Sequence, residues 1–166
     1  MIDKFESEAL IKVYGKLEKR CNLIDKFIKN HALYFGPCSS EYGAEDVLDN
    51  ILDLMARKNR LINLKLILDS AIKRLKDVDK QVLFIKMKYK ISMEEICGVL
   101  ELKERTAFRR IEQAFVHLAE ELNKSKYCNK LQTIINEEDW ILSLCEEVRE
   151  RRLAYVNTEK CAVNSL

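Results

Sequence analysis

The chain has 166 residues, of which 48% are apolar and 34% are charged, and its formal net charge is +2 at pH 7. Its apolar content suffices for a hydrophobic core, and four glycines and one proline leave few helix breakers, so we predict an all-α fold. So small a net charge does not by itself indicate a nucleic-acid-binding protein.

Neither a membrane segment nor a metal site is predicted. Residues 1–16 carry charges of both signs, unlike a signal peptide, and no run approaches the roughly 18 apolar residues of a membrane span. The six cysteines include no C-x-x-C pair and only two histidines are present, so ligands at zinc-site spacing are missing. We therefore expect a cytoplasmic protein with reduced thiols and no cofactor.

The N-terminal segment, residues 3–30, has the pattern of one amphipathic helix. Its other side is rich in lysine, which fits either contact with nucleic acid or a membrane, or an ordinary solvated face. Residues 31–43 hold the only proline and are predicted to be a loop. The apolar side of the helix comprises Phe5, Leu10, Val13, Tyr14, Leu17, Cys21, Ile24, Phe27 and Ile28.

The longest uninterrupted helical pattern runs over residues 44–75, although the polar patch at residues 57–60 allows a break there. One apolar stripe follows heptad spacing, with lysine at two places, and predicts a helical hairpin with the N-terminal helix over residues 1–75. A second stripe lies beside it. It is used either for a homodimer through the long helix or within the monomer. This second stripe comprises Leu48, Leu52, Met55, Ile62 and Leu66.

Residues 76–123 carry the pattern of a helix-turn-helix. A helix over residues 78–89 is followed by Ser92 and Glu95, which can form a capping box. The short helix after it has an apolar stripe of Met93, Ile96, Val99 and Leu100. Residues 101–103 break the pattern, and a longer helix begins near Glu104. The inward face of that helix is predicted to be Ala107, Ile111, Ala114, Phe115, Leu118 and Leu122.

Three segments of this region resemble region 4 of sigma-70-type factors: residues 83–89 (LFIKMKY), 91–97 (ISMEEIC) and 102–106 (LKERT). Within that superfamily the chain is most similar to small phage late-transcription regulators of the ArpU/RinA type. The resemblance covers residues 76–123 and implies promoter binding and recruitment of RNA polymerase. The chain departs from the pattern at Glu101, where glycine or asparagine is usual, and at Lys103, where serine or threonine caps the recognition helix.

The predicted DNA-binding residues surround the start of the longer helix. Arg105 and Arg109 are one turn apart, so both can reach base edges in the major groove. The remaining side chains fit contacts with phosphates or bases. The alternative is a solvated face on which Glu104, Arg105 and Arg109 pair with one another. The full predicted set is Lys90, Ser92, Lys103, Glu104, Arg105, Thr106, Arg109 and Arg110.

Residues 124–166 are predicted to form a C-terminal helix and tail. A polar break at residues 124–130 precedes Asn136, which can cap the last helix, with Glu137, Glu138 and Asp139 in its first turn. That helix is expected to carry Trp140 and to fray after Tyr155. Its apolar side fits either the core or a partner such as RNA polymerase or a second protomer.

The sequence therefore predicts a DNA-binding transcriptional regulator of the phage type, not an enzyme. No glycine-rich phosphate loop and no nucleophile with a neighbouring base are found. One alternative is an adaptor that binds RNA polymerase or another regulator without reading DNA. Another is the DNA-recognition subunit of a phage packaging complex. The expected partners are double-stranded DNA, RNA polymerase and a second copy of the chain, without a membrane.

Overall fold

A computed structural model describes residues 1–34, 43–88 and 92–163, and within these ranges it contains seven α-helices and no strand. The predicted all-α fold is confirmed. The helices are α1 (Lys4–Tyr34), α2 (Ala44–Arg74), α3 (Asp77–Lys88), α4 (Met93–Leu100), α5 (Glu104–Lys124), α6 (Cys128–Glu137) and α7 (Asp139–Val163).

The two long helices match the sequence pattern with small shifts at their ends. Helix α1 begins after Asp3, whose carboxylate accepts a hydrogen bond from the Glu6 amide while the Glu6 carboxylate accepts one from the Asp3 amide (2.8 and 2.9 Å). These reciprocal bonds satisfy two amides at the helix start. Helix α1 continues to Tyr34, past the predicted loop start at residue 31. Helix α2 shows no break at residues 57–60, and residues 35–42 of the loop lie outside the described residues.

The packing divides the chain into two compact units, the first comprising Met1–Gly15 and Ile67–Leu166 and the second Lys16–Leu66. In the second unit, Leu17 and Ile24 of α1 and Leu61 of α2 are buried. Lys58 is one of the two lysines in the heptad stripe of α2. Its ammonium lies 2.6 Å from the Asp25 carboxylate of α1, which accounts for a lysine at this place. The predicted boundaries at residues 75 and 123 rest on the sequence pattern and stay a prediction.

The core of the first unit joins the start of α1 to the helices from α3 onward. The Ser7 hydroxyl, fully buried, donates to the carbonyl oxygen of Phe115 in α5 (2.8 Å). The Asn123 side chain exchanges two hydrogen bonds of 2.8 Å with the backbone of Ile2. These bonds satisfy polar groups that the core would otherwise leave without partners. They hold the N-terminal end of α1 against the C-terminal half of α5.

The C-terminal region corrects two predictions. The predicted polar break at residues 124–130 is shorter, because α5 continues to Lys124 and α6 starts at Cys128. Asn136 does not cap the last helix but lies in the last turn of α6. Helix α6 forms because its apolar residues Leu131, Ile134 and Ile135 are at helical spacing and are buried.

Helix α7 therefore begins at Asp139 instead of Glu137, and it extends to Val163, past the predicted fraying near Tyr155. Glu138 links the two helices. It is 1% exposed, its carbonyl oxygen accepts from the Ile141 and Leu142 amides, and its carboxylate accepts from the Trp140 indole (3.1 Å). Ile141 and Val148 of α7 are buried, so this face of the helix belongs to the core.

Candidate nucleic-acid interface

The start of α4 has the geometry that its sequence predicts. The Ser92 hydroxyl accepts a hydrogen bond from the Glu95 amide (3.2 Å), and the Glu95 carboxylate accepts one from the Ser92 amide (2.7 Å), so the capping box is present. One turn later Ile96 is buried, with 1% of its surface exposed. Val99, which the sequence placed on the same apolar stripe, is 65% exposed. That part of the prediction is wrong, because in the second turn of this eight-residue helix the side chain of Val99 faces solvent while that of Leu100 is partly buried.

The connection between α4 and α5 is a tight turn at a residue in the left-handed conformation. Glu101 has φ 51° and ψ 38°. The Leu102 amide donates to the Cys97 carbonyl oxygen (3.1 Å) and the Glu101 amide to that of Gly98 (3.4 Å). This pair of bonds is the Schellman arrangement that commonly closes a helix. The turn thus has the positive φ at which glycine or asparagine is usual, although a glutamate occupies it.

The start of α5 lacks a side-chain cap. Lys103 is extended, with φ −64° and ψ 146°, and its carbonyl oxygen accepts from the Thr106 and Ala107 amides (2.8 and 2.9 Å). Among the described residues, no side chain at this position accepts from the first-turn amides. The amides of Glu104 and Arg105, which precede those two, point out of the helix start and are available to an anion such as a phosphate.

The orientation of α5 is set by its buried side. All six residues predicted to face inward are buried, and α5 packs through them against α3 and α4. A polar contact adds to this packing, because His117 Nδ1 of α5 lies 2.8 Å from the carboxylate of Asp79 in α3, which is 6% exposed. Glu121 lies 3.0 Å from the Arg74 guanidinium at the end of α2. Hydrogen bonds from Arg74 and Lys124 lower the pKa of Glu121.

The opposite side of α5 carries the predicted binding residues. Lys103, Glu104, Arg105, Thr106, Arg109 and Arg110 are all exposed. Arg105 and Arg109 follow each other by one turn on the face that points away from Ala107 and Ile111. Within the described part of the chain, neither arginine takes part in an ion pair, so the alternative of internal pairing with Glu104 is not what the structure shows.

We call Arg105 and Arg109 the arginine row. Two of the predicted residues lie away from it. Lys90 lies outside the described residues. Ser92 is exposed, but its hydroxyl is already held by the capping box, where it also donates to the Glu95 carboxylate (3.1 Å). Lys86 of α3, a basic residue near this surface in the sequence, is half-buried, and burial lowers its pKa. Among the residues from 86 to 110 whose side chains the structure describes, the exposed basic ones are therefore Lys103, Arg105, Arg109 and Arg110, at the turn and in the first two turns of α5.

One residue of the same face was not predicted. Gln113 follows Arg109 by four residues and is exposed, so it extends the row by a further turn. Its amide can donate and accept hydrogen bonds, as an adenine edge requires. The four-residue spacing from Arg105 through Arg109 to Gln113 was visible in the sequence and is the signal that would have found it.

The row is bounded on one side by other helices. Arg152 of α7 lies 2.9 Å from the Glu112 carboxylate and 5.8 Å from the centre of the Phe108 ring. Lys4 of α1 lies 3.1 Å from the same carboxylate. Glu112 thus has two cationic partners, and its negative charge is offset beside the arginine row. Arg105, Arg109, Thr106 and Gln113 remain exposed beside this cluster.

The described ranges contain no group of three or more His, Cys, Asp or Glu side chains placed to hold a metal ion. In those ranges no helix has both the length and the apolar character needed to cross a membrane. No protein-family model, curated protein or solved structure matches this chain.

Proposed function

We propose that this protein is a sequence-specific DNA-binding transcriptional regulator of the phage type. In this proposal α4 and α5 form a helix-turn-helix, and α5 enters the major groove of promoter DNA. The observation that supports it most is the exposed arginine row. Arg105 and Arg109 project from a helix whose other side is buried, and neither forms an ion pair with an acidic side chain of the described residues. Arginine on a rigid helix is the commonest reader of guanine in the major groove.

The backbone at the start of α5 supports the proposal in a second way. The amides at the start of α5 have no side-chain cap, and Lys103 lies beside them. A helix start of this kind favours a phosphate, and phosphate contacts hold a reading helix in register on the duplex. The resemblance of residues 76–123 to sigma region 4 agrees with promoter binding. By the same resemblance, we propose RNA polymerase as a partner of the bound protein.

A second candidate function is an adaptor that grips RNA polymerase or another regulator without reading DNA. The acidic side chains around the turn favour it. Glu94, Glu95, Glu101 and Glu104 are all exposed close to the basic residues, and they weaken the attraction of this surface for a phosphate backbone. Val99, 65% exposed between them, adds an apolar contact of the kind that protein partners use.

Binding to duplex DNA across a salt series separates the two functions. We expect the affinity of the wild type for random duplex to fall steeply with salt, because phosphate contacts release counterions. The double variant Arg105→Ala/Arg109→Ala should flatten that dependence. As a matched control, Lys19→Ala/Lys26→Ala removes two exposed charges from α1 and should leave the dependence unchanged. An equal effect of the control would move the interface to the basic face of α1.

Specificity is then tested on a site selected from random sequences. Arg109→Ala should reduce the preference for that site by about 1–3 kcal/mol, the usual loss for an arginine that reads a base. Unchanged discrimination would remove Arg109 from the reading residues. Absence of duplex binding by the wild type, even at low salt, would reject the regulator and favour the adaptor.

A further inference from the structure

The second apolar stripe of α2 is exposed. Its five side chains, Leu48, Leu52, Met55, Ile62 and Leu66, are between 40% and 60% exposed, and all belong to the unit Lys16–Leu66. The core of that unit uses a different side of α2, where Val47, Leu61 and Leu64 are buried. Single exposed apolar residues are common, but a row of five along one helix marks an interaction surface.

The spacing of the row is that of a two-stranded coiled coil. Successive residues are separated by four, three, four, three and four positions once the exposed Asn59 is included. This places Leu52, Asn59 and Leu66 at a positions of a heptad and Leu48, Met55 and Ile62 at d positions. A single asparagine at an a position is the feature by which coiled-coil dimers select their partner number and register.

We propose that this row, from Leu48 to Leu66, is the interface of a parallel, in-register homodimer in which the two Asn59 side chains hydrogen-bond to each other. The occupant is a second copy of this chain because the row is complementary to itself. Each a and d layer meets the same residue of the partner, and the amide of Asn59 meets an amide. The inference is independent of the proposed function, since it uses neither α4 nor α5.

The Asn59 layer favours the parallel orientation. In a parallel dimer Asn59 meets Asn59, and the g position Lys58, which already pairs with Asp25 of its own chain (2.6 Å), faces the e position Asn63 of the other copy. In the antiparallel register with the most overlap, Asn59 faces the thioether of Met55. That arrangement leaves a buried amide without a partner.

The size of the row sets the expected strength. The helix rises about 27 Å from Leu48 to Leu66, and a stripe of this length about 10 Å wide covers on the order of 300 Å² on each copy. The two copies together fall below the roughly 1,000 Å² of a stable interface, even before the flanking residues are added. We therefore expect a dimer that dissociates on dilution, not an obligate one.

Sedimentation equilibrium of the full chain over a range of concentrations tests the association. The wild type should show a monomer–dimer equilibrium, and Leu52→Glu should raise its dissociation constant by more than about tenfold, because a charge enters an apolar layer. Leu153→Glu is the matched control, since Leu153 of α7 is also 52% exposed, and it should change nothing. A wild type that stays monomeric at every concentration, or an equal effect of both variants, would overturn the proposal.

Disulfide trapping tests the orientation. With Leu48→Cys, a parallel dimer brings the two new thiols into one layer, whereas the antiparallel register separates them by about 27 Å. We expect rapid covalent dimerisation on mild oxidation, well above that of the wild type with its native cysteines. No more cross-linking than in the wild type would overturn the parallel register. Asn59→Leu should tighten the dimer, since it removes a buried amide, and an unchanged dissociation constant would show that Asn59 is not buried there.

Discussion

Two substitutions near the α4–α5 connection, Glu101→Gly and Gly98→Ala, are each expected to stabilise the protein. Glu101 has φ 51° and is the only non-glycine residue at positive φ among those that the structure describes. This conformation costs an L-residue about 1–2 kcal/mol. Glycine avoids that cost but loses about 0.5–1 kcal/mol of chain entropy on folding. Glu101→Gly should therefore raise the free energy of unfolding by about 1 kcal/mol.

Gly98 is the site of the second substitution. It lies inside α4 and not at positive φ, and a methyl group added there meets no atom of the described residues within 4 Å. Gly98→Ala should thus add about 0.5–1 kcal/mol through the higher helix propensity of alanine. The two gains act through the backbone alone, and together they amount to about 1.5–2 kcal/mol.

Urea unfolding followed by far-UV circular dichroism measures both changes. Glu101→Gln is the control for charge, because it keeps the strained backbone and removes the carboxylate. A gain from Glu101→Gly that Glu101→Gln does not reproduce would support the reasoning. A loss of stability on Glu101→Gly, or an equal gain from Glu101→Gln, would refute it, since strain at φ would then not be the quantity relieved.

Three further predictions concern the first unit. Ile96→Asp should lower the free energy of unfolding by about 3–5 kcal/mol because it buries a carboxylate. Val99→Asp on the exposed side should lower it by at most about 1 kcal/mol, and thermal melts of both variants measure the difference. Glu121→Gln should be less stable than the wild type at pH 7, and this difference in the free energy of unfolding should vanish as the pH falls below about 4, because the pKa of Glu121 is lowered in the folded protein. Unfolding of both proteins from pH 7 to pH 3 measures the difference, and a difference independent of pH would contradict the prediction. Burial and a hydrogen bond to a carboxylate raise the pKa of Tyr14 to about 12. The free energy of unfolding should therefore fall as the pH rises from about 10 to 12, and it should fall less in Tyr14→Phe. Alkaline unfolding of both proteins measures this.

The longer helices were predictable because their apolar spacing is regular over many turns. The buried face of α5 agrees with the sequence at all six inward positions, and the capping box at Ser92 was also found. Local chemistry determines both features. Spacing alone did not predict whether the second stripe of α2 is exposed, because the same residues could contact a partner or pack in the core of the monomer.

The C-terminal region shows what spacing cannot supply. Helix α6 has only ten residues, and because polar residues surround its start, the sequence pattern was interpreted as a polar break and not as a helix. The acidic run at residues 137–139 looks like a helix start, but Glu138 is buried and ends one helix while its carbonyl oxygen begins the next. The boundary between α6 and α7 depends on the burial of Glu138 in the folded protein, and the sequence of three adjacent acidic residues does not show which of them is buried. The same holds for Val99, whose exposure depends on where the α4 helix axis lies over α5.

The shortness of α4 has a consequence for folding. A helix of eight residues cannot persist alone in water, since isolated helices need roughly 12–15 residues even with favourable sequences. Its amides are protected only while Ile96 is docked and the Ser92–Glu95 cap is closed. In native-state hydrogen exchange, α4 should thus open as a local unit before the 21-residue α5, with a smaller opening free energy. The connection that presents the arginine row would then be among the last parts of this unit to form and the first to be released.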